Sequence, residues 1–292
     1  MKNTAFTSLI TLSLVGVLTA GAALTSFAEE NDTSAYFDLE IDAQIPSPED
    51  GDNTIVVGVV PTPHGEVIEQ VEDKLEQAGW KVEIVTYEDY VLPNNALDSG
   101  ELDANYFQHD PYLQDFNEKN GTELSGVAAV HFEPLGIYAG KSEDLASIQE
   151  GAVIAIPNDT TNEARALLLL QDNGLITLKE GAGLQATPID IEDNPYHLEF
   201  NELEAALTAR VIDDVDFAVV NGNYAITADI KDRLVAVEDA KSEAARTYAN
   251  LIVVKSGNEE TLKTQALVNA VLLSDIRTFI NDTYDGAVIA VF

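Results

Sequence analysis

Cysteine is absent from all 292 residues, so neither disulfides nor thiolate chemistry can hold or power this chain. Basic residues are scarce: 15 Lys+Arg stand against 51 Asp+Glu, a formal net charge of -36. Such a field repels nucleic acid, anionic membrane surfaces and polyanionic ligands, so nucleic acid is not an expected partner. No apolar run beyond the first residues reaches the roughly 18 needed to span a bilayer. No G-x-S-x-G elbow and no P-loop occur, which removes the usual marks of a serine hydrolase or a phosphate cradle. Gly181-Ala182-Gly183-Leu184-Gln185-Ala186 does match G-x-G-x-x-A, but Leu178-Lys179-Glu180 before it is no clear buried strand. The histidines, His64, His109, His131 and His197, are scattered rather than set at metal-ligand spacing. No metal and no cofactor are expected.

What is present suits a globular protein of two domains: 46% hydrophobic residues and a mean hydropathy of -0.02. Met1 to Ala28 holds one lysine, an apolar run and a Ser26-Phe27-Ala28 close, the pattern of a secretory signal cleaved near Ala28. Without Lys2 the mature chain carries 51 acidic against 14 basic residues, or -37. Glu29 to Asn53 is acidic, contains Pro46 and Pro48, and reads as a mobile tether. From Thr54 the pattern alternates. Thr54–Val60 is an apolar run suited to a buried strand, Glu66–Ala78 has Val67, Val71 and Leu75 at helical spacing before Gly79, and Lys81–Tyr87 is a second strand. Further strands are expected at 127–132, 135–139, 152–156, 215–220 and 251–254, with helices at 161–173, 202–210 and 259–281. Strands alternating with helices indicate α/β.

Three segments carry chemistry. In Pro157–Leu170, Thr160 and Glu163 have capping-box spacing, Asn158 and Asn162 lie beside them, and Arg165 is one of only five arginines. A helix start there presents free N–H groups and a guanidinium fork to an anion, or it is simply a capped surface helix whose arginine pairs with an acid. Asp103–Leu113 sets Asn105, Tyr106, Phe107, His109 and Tyr112 in what reads as a loop, a cage for an apolar side chain or in part ordinary core. Val219–Tyr224 places Asn221 at the end of a buried strand, where open α/β sheets bind ligands, or in a common Asn-Gly turn.

Taken in order, VTYEDYVLPNNALDSGELDANYFQHDPYL, HFEPLGIYAGK, VIAIPNDTTNEARALLLLQDNGLI, NELEAAL, YANLIVVK and YDGAVIAVF resemble the blocks of the MetQ/NlpA substrate-binding proteins of methionine ABC importers, from about Thr54 to Phe292. The resemblance implies a two-lobed type 2 periplasmic-binding-protein fold with ligand in the interlobe cleft. Lobe 1 would be residues 54–135 and 226–292, and lobe 2 residues 136–225, with crossovers near Glu133–Tyr138 and Asn221–Ile226. It implies L-methionine as ligand, or another small apolar amino acid or dipeptide. A membrane permease would be the partner of a monomeric, non-enzymatic receptor. A metal-binding importer receptor is the remaining alternative. On the same resemblance Arg165 would take the α-carboxylate and Asn221 the head group. Tyr87, Phe107 and His109 would surround the side chain, with Asn105, Tyr138, Asn158 and Asn162 alongside.

Family members end their signal in a lipobox cysteine, and here Gly21 follows Leu18-Thr19-Ala20 at that place. The expectation is therefore an unanchored protein released into the periplasm of a Gram-negative bacterium. The acid excess suits a high-salt habitat, because screening weakens self-repulsion. Thermal unfolding should then show a Tm that rises as sodium chloride goes from millimolar to molar; a Tm that does not rise removes the high-salt reading.

Overall fold

The computed structural model describes residues 33–49, 51–241 and 244–292. Its strands are β1 Thr54–Val59, β2 Lys81–Thr86, β3 Ala104–His109, β4 Leu124–Phe132, β5 Gly136–Ala139, β6 Val153–Pro157, β7 Thr177–Leu178, β8 Ile191–Asp193, β9 Glu199–Leu203, β10 Phe217–Val220, β11 Leu234–Val237, β12 Ala249–Lys255 and β13 Ile289–Ala290. Helices α1 Glu66–Ala78, α2 Leu92–Ser99, α3 Asp110–Asn120 and α4 Thr160–Asp172 matter most for the site.

Two mixed sheets organise the chain, one ordered β13-β4-β12-β3-β1-β2 and the other β11-β5-β10-β6-β9. β1 pairs in parallel with β2 and β3, as a right-handed crossover through α1 requires, and β12 returns antiparallel between β3 and β4. Each sheet is apolar on both faces. Val57, Tyr106 and Ile252 pack with Val71 and Leu267 on one side of the first sheet, while Leu97, Leu113, Val253 and Phe116 cover the other. The second sheet buries Ile154, Phe217 and Leu167 on one face and Ala155, Ala218 and Val220 on the other. This is a two-lobed α/β fold.

The clearest agreement is α1, which ends where Gly79 takes a left-handed φ of 104° and its N–H reaches back to the last carbonyls. Several expectations are corrected. Ala104–His109 is a central buried strand rather than a loop; Asn105 and Gln108 broke the apolar pattern because their amides are satisfied by each other and by Asn94. The expected helix at 202–210 begins as β9, turns α-helical over Ala205–Thr208 and continues as a 3-10 helix over Ala209–Asp214. The final helix is two, Leu262–Val271 and Ser274–Tyr284, the second opened by Asp42 accepting from the Ser274 N–H at 2.7 Å. β11 joins the second sheet, although it lies beyond residue 225.

The expected tether is, over 33–49, a packed strap. Leu39 and Ile45 rest on the first core, the Trp80 indole donates to the Pro46 carbonyl at 2.7 Å, and the Asn269 amide donates to that of Gln44 at 2.8 Å. Spaced apolar residues in an acidic, proline-containing stretch gave no periodicity to read. The signal segment 1–28 lies outside the described residues.

Gly140 ends β5 with no room beside it: a Cβ there would sit 2.3 Å from the carbonyls of Ile212 and Val215. Gly140→Ala should destabilise the fold by about 1–3 kcal/mol through forced backbone shifts, read as a lower urea midpoint at unchanged slope.

Candidate ligand-binding site

A tight cavity opens where strands of both sheets end, lined by Tyr90, Phe107, Gln108, His109, Tyr112, Glu133, Asn162, Arg165, Asn221, Gly222, Asn223 and Asn250. β3 supplies Phe107, Gln108 and His109, β12 supplies Asn250, α4 supplies Asn162 and Arg165, and Asn221 follows directly on β10. Hydrogen bonds cross from one lobe to the other around it. The Tyr90 hydroxyl donates to Asn223 Oδ1 at 2.6 Å, Tyr224 donates to the Glu88 carbonyl at 3.1 Å, and Lys119 meets the Thr160 hydroxyl. The aromatic side of the wall is Tyr90 against Phe107 and Tyr112, ring centroids 5.7 and 5.8 Å apart.

Arg165 is 4% exposed and held on three sides. Its Nε and Nη2 grip both oxygens of Glu238 at 2.7 and 2.6 Å, Nη2 also donates to the Glu133 carbonyl at 2.9 Å, and the Tyr248 ring lies 4.2 Å from its central carbon. Burial opposes the charge, but the Glu238 carboxylate outweighs it and holds the guanidinium above its usual range. Glu238 is itself fixed by the Leu135 N–H at 2.8 Å. Because the fork with Glu238 uses the Nε edge, Nη1 is the guanidinium nitrogen that makes no hydrogen bond among the described residues.

A chain of amides runs beside it. Asp159 caps α4 and accepts from the Asn162 N–H at 3.0 Å and its Nδ2 at 2.9 Å. Asn162 Oδ1 in turn accepts from Asn221 Nδ2 at 2.9 Å and meets His109 Nε2 at 3.3 Å. His109 Nδ1 accepts from the Tyr112 N–H, so the proton sits on Nε2; burial and Arg165 push the ring down to about 3, leaving it neutral. At the end of the chain Asn221 Oδ1 is buried with no partner among the described residues. An orphaned acceptor beside a guanidinium is a dipolar receptor.

Behind the cavity, His64, His131 and Glu133 bring ligating atoms within 4.8 Å of one another. Each is already engaged by protein: His131 Nε2 with Glu133 Oε1 at 2.8 Å, Glu133 Oε2 with the Asn223 N–H at 2.6 Å, and His64 Nε2 with Asn250 Oδ1 at 2.9 Å. Burial pushes the Glu133 carboxyl up and His131 down to about 3.

Of the sequence-named residues, Phe107, His109, Asn162, Arg165 and Asn221 converge on the cavity. Four do not. Tyr87 packs against the same core as Phe107 but beside Gly58 on β1, off the cavity wall, and Tyr90, three residues on, lines the wall. Asn105 is buried one layer back, donating to Asn94 Oδ1 at 2.8 Å and accepting from Gln108, which does line the cavity. Tyr138 is core of the second sheet and Asn158 is exposed. The capping box is corrected too: Asp159, not Thr160, is the N-cap, since Thr160 is already helical and faces Lys119. Asn250, Tyr90 and Glu238 were not singled out. Asn250 interrupts an apolar strand, a signal that could have found it; nothing local marks Glu238 among so many acids.

Two α/β lobes, linked by chain crossings and enclosing a polar cavity between them, define a solute-binding protein. The NlpA lipoprotein family model matches residues 55–292. The chain belongs to that family. It is 40% identical over 242 residues to membrane lipoprotein TpN32 of Treponema pallidum, spanning 82% of this chain and 88% of that one. It is 37% identical over 247 residues to the methionine-binding lipoprotein MetQ of Bacillus subtilis, spanning 83% and 90%. A nutrient binding protein of Burkholderia cenocepacia, solved bound to methionine, superimposes with a TM-score of 0.77 at 40% identity, covering 82% of this chain and 100% of that one.

The lipoprotein names of these relatives overturn the expectation of an unanchored, released protein. That expectation rested on Gly21 alone, within residues 1–32, which the structure does not describe. No helix among the described residues is long and apolar enough to cross a membrane, which is a separate matter from a lipid anchor.

Beside the site, Glu163 on the first turn of α4 is 6% exposed with Oε1 unpartnered. Burial, then the neighbouring Glu202 carboxylate, pushes it up to about 7. A raised folded value means the folded state holds the proton more tightly, so this stability is complete below the unfolded value near 4.5 and is lost as pH rises through 7. Glu163→Gln should therefore flatten the fall in stability between pH 4.5 and 7 and leave the variant more stable than wild type at pH 8, measured by urea unfolding across pH.

Proposed function

We propose that this chain captures methionine as a zwitterion and delivers it to the membrane permease of an ABC importer, acting as a monomeric receptor and not an enzyme. The observation that carries the reading is the pairing of Arg165 with the orphaned Asn221 Oδ1 in one enclosed cavity. Nη1 of Arg165 suits the α-carboxylate, and Asn221 Oδ1 suits the ammonium group. Phe107, Tyr90 and His109 would receive the thioether chain, where ring edges and sulfur attract. Asn162 would act by aiming Asn221, and Asn105 by aiming Gln108. Binding rather than catalysis fits the carboxylates nearby, since Glu133 and Glu238 are both committed to protein donors.

Support for methionine comes from relatives bearing that name and from the Burkholderia protein solved with it. The moving bodies are proposed to be the two sheets with their helices, divided at 133–138 and again after β11, so that ligand would favour the closed arrangement by bonding to both.

After unfolding and refolding to strip bound ligand, calorimetry should give strong binding of L-methionine. Norleucine, lacking the sulfur, should bind more weakly by about 1–3 kcal/mol. No heat and no rise in Tm with methionine would overturn the assignment.

A further inference from the structure

His64 is not among the residues lining the cavity, yet it is 1% exposed and sits behind one wall of it. Its Nε2 lies 2.9 Å from Oδ1 of Asn250, which lines the cavity, and 3.5 Å from Oε1 of Glu133. Two acceptors therefore face Nε2. Nδ1 is buried with no partner, a small cost for a lone pair and a larger one for an N–H. The ring proton belongs on Nε2.

We propose that His64 is a positioning residue: by donating from Nε2 it turns the Asn250 carboxamide so that the NH2 faces the cavity as a donor to the ligand's carboxylate. The inference rests on the amino-acid reading of the site. Were the proton on Nδ1, Nε2 would accept from the amide, and Asn250 would present an oxygen that repels a carboxylate. The Asn250 backbone is held in place by its pairing in β12 with His109 on β3 and His131 on β4.

The groups facing His64 are Tyr106 and His131, with ring centroids each 4.8 Å away, Glu133 and Asn250. Glu133 is the acceptor that selects the tautomer, and His131 and the Asn223 N–H hold it in place. Burial pushes His64 down to about 4, so the neutral ring persists at neutral pH.

The test compares L-methionine with L-methioninol, in which an alcohol replaces the carboxylate, by calorimetry on wild type, His64→Leu, His64→Gln and Asn250→Ala. A lost bond to a charged group predicts roughly 10- to 100-fold weaker methionine binding in His64→Leu. Methioninol should change little, and His64→Gln, whose amide can donate from a similar place, should recover most of the loss. In an Asn250→Ala background His64→Leu should add nothing. Equal losses for both ligands, or additive losses, would overturn the proposal. Nitrogen-15 NMR of ligand-free wild type needs no variant to fold: a proton on Nε2 is expected, and one on Nδ1 overturns the proposal whatever the ligand. If wild type fails to bind methionine, the ligand reading falls separately, and the tautomer then judges the His64–Asn250 geometry alone.

Discussion

The buried pair of Arg165 and Glu238 is the constraint on which the site depends. One guanidinium ties α4 to the first crossing through the Glu133 carbonyl and to the chain after β11 through Glu238. Charges this buried are expensive unless every hydrogen has a partner, and removing one member costs about 3–5 kcal/mol by stranding the other. Glu238 therefore does two things: it keeps Arg165 ionised and it fixes which edge of the fork remains for a ligand. Affinity for a carboxylate comes from a nitrogen already oriented before anything binds.

Around that pair the site is built of amides, each aimed by a fixed neighbour. Asp159 aims Asn162, Asn162 aims Asn221, and Asn94 and Asn105 aim Gln108. Each amide has a donor and an acceptor end, so a single fixed partner decides what the next one offers. Gly222 shows how tightly this is packed, since a Cβ there would lie 2.8 Å from Glu133.

The fold was legible wherever one residue decides a boundary, as Gly79 does for α1, or where an apolar run leaves no second choice, as in β1. Arg165 and Asn221 were legible because each stands out locally, a rare arginine in a helix start and an amide at a strand end. What could not be read depends on partners that only the folded chain brings together. β3 looked like a loop because its polar residues are satisfied by Asn94, the last helix divides because Asp42 lies more than two hundred residues away, and Arg165 is matched to one of 51 acidic residues that are alike in sequence.

The strap over 33–49 packs on the first lobe: Leu39 and Ile45 on the first core, Pro46 on Trp80, Tyr36 on Asp110 at 3.3 Å. Mechanically, a load applied through Thr33 enters the first sheet's body and does not reach the second. That lobe becomes the stator. On the proposed hinge, the other, joined to it by the crossings and the cavity contacts, would swing whatever the chain ahead of the strap is fastened to.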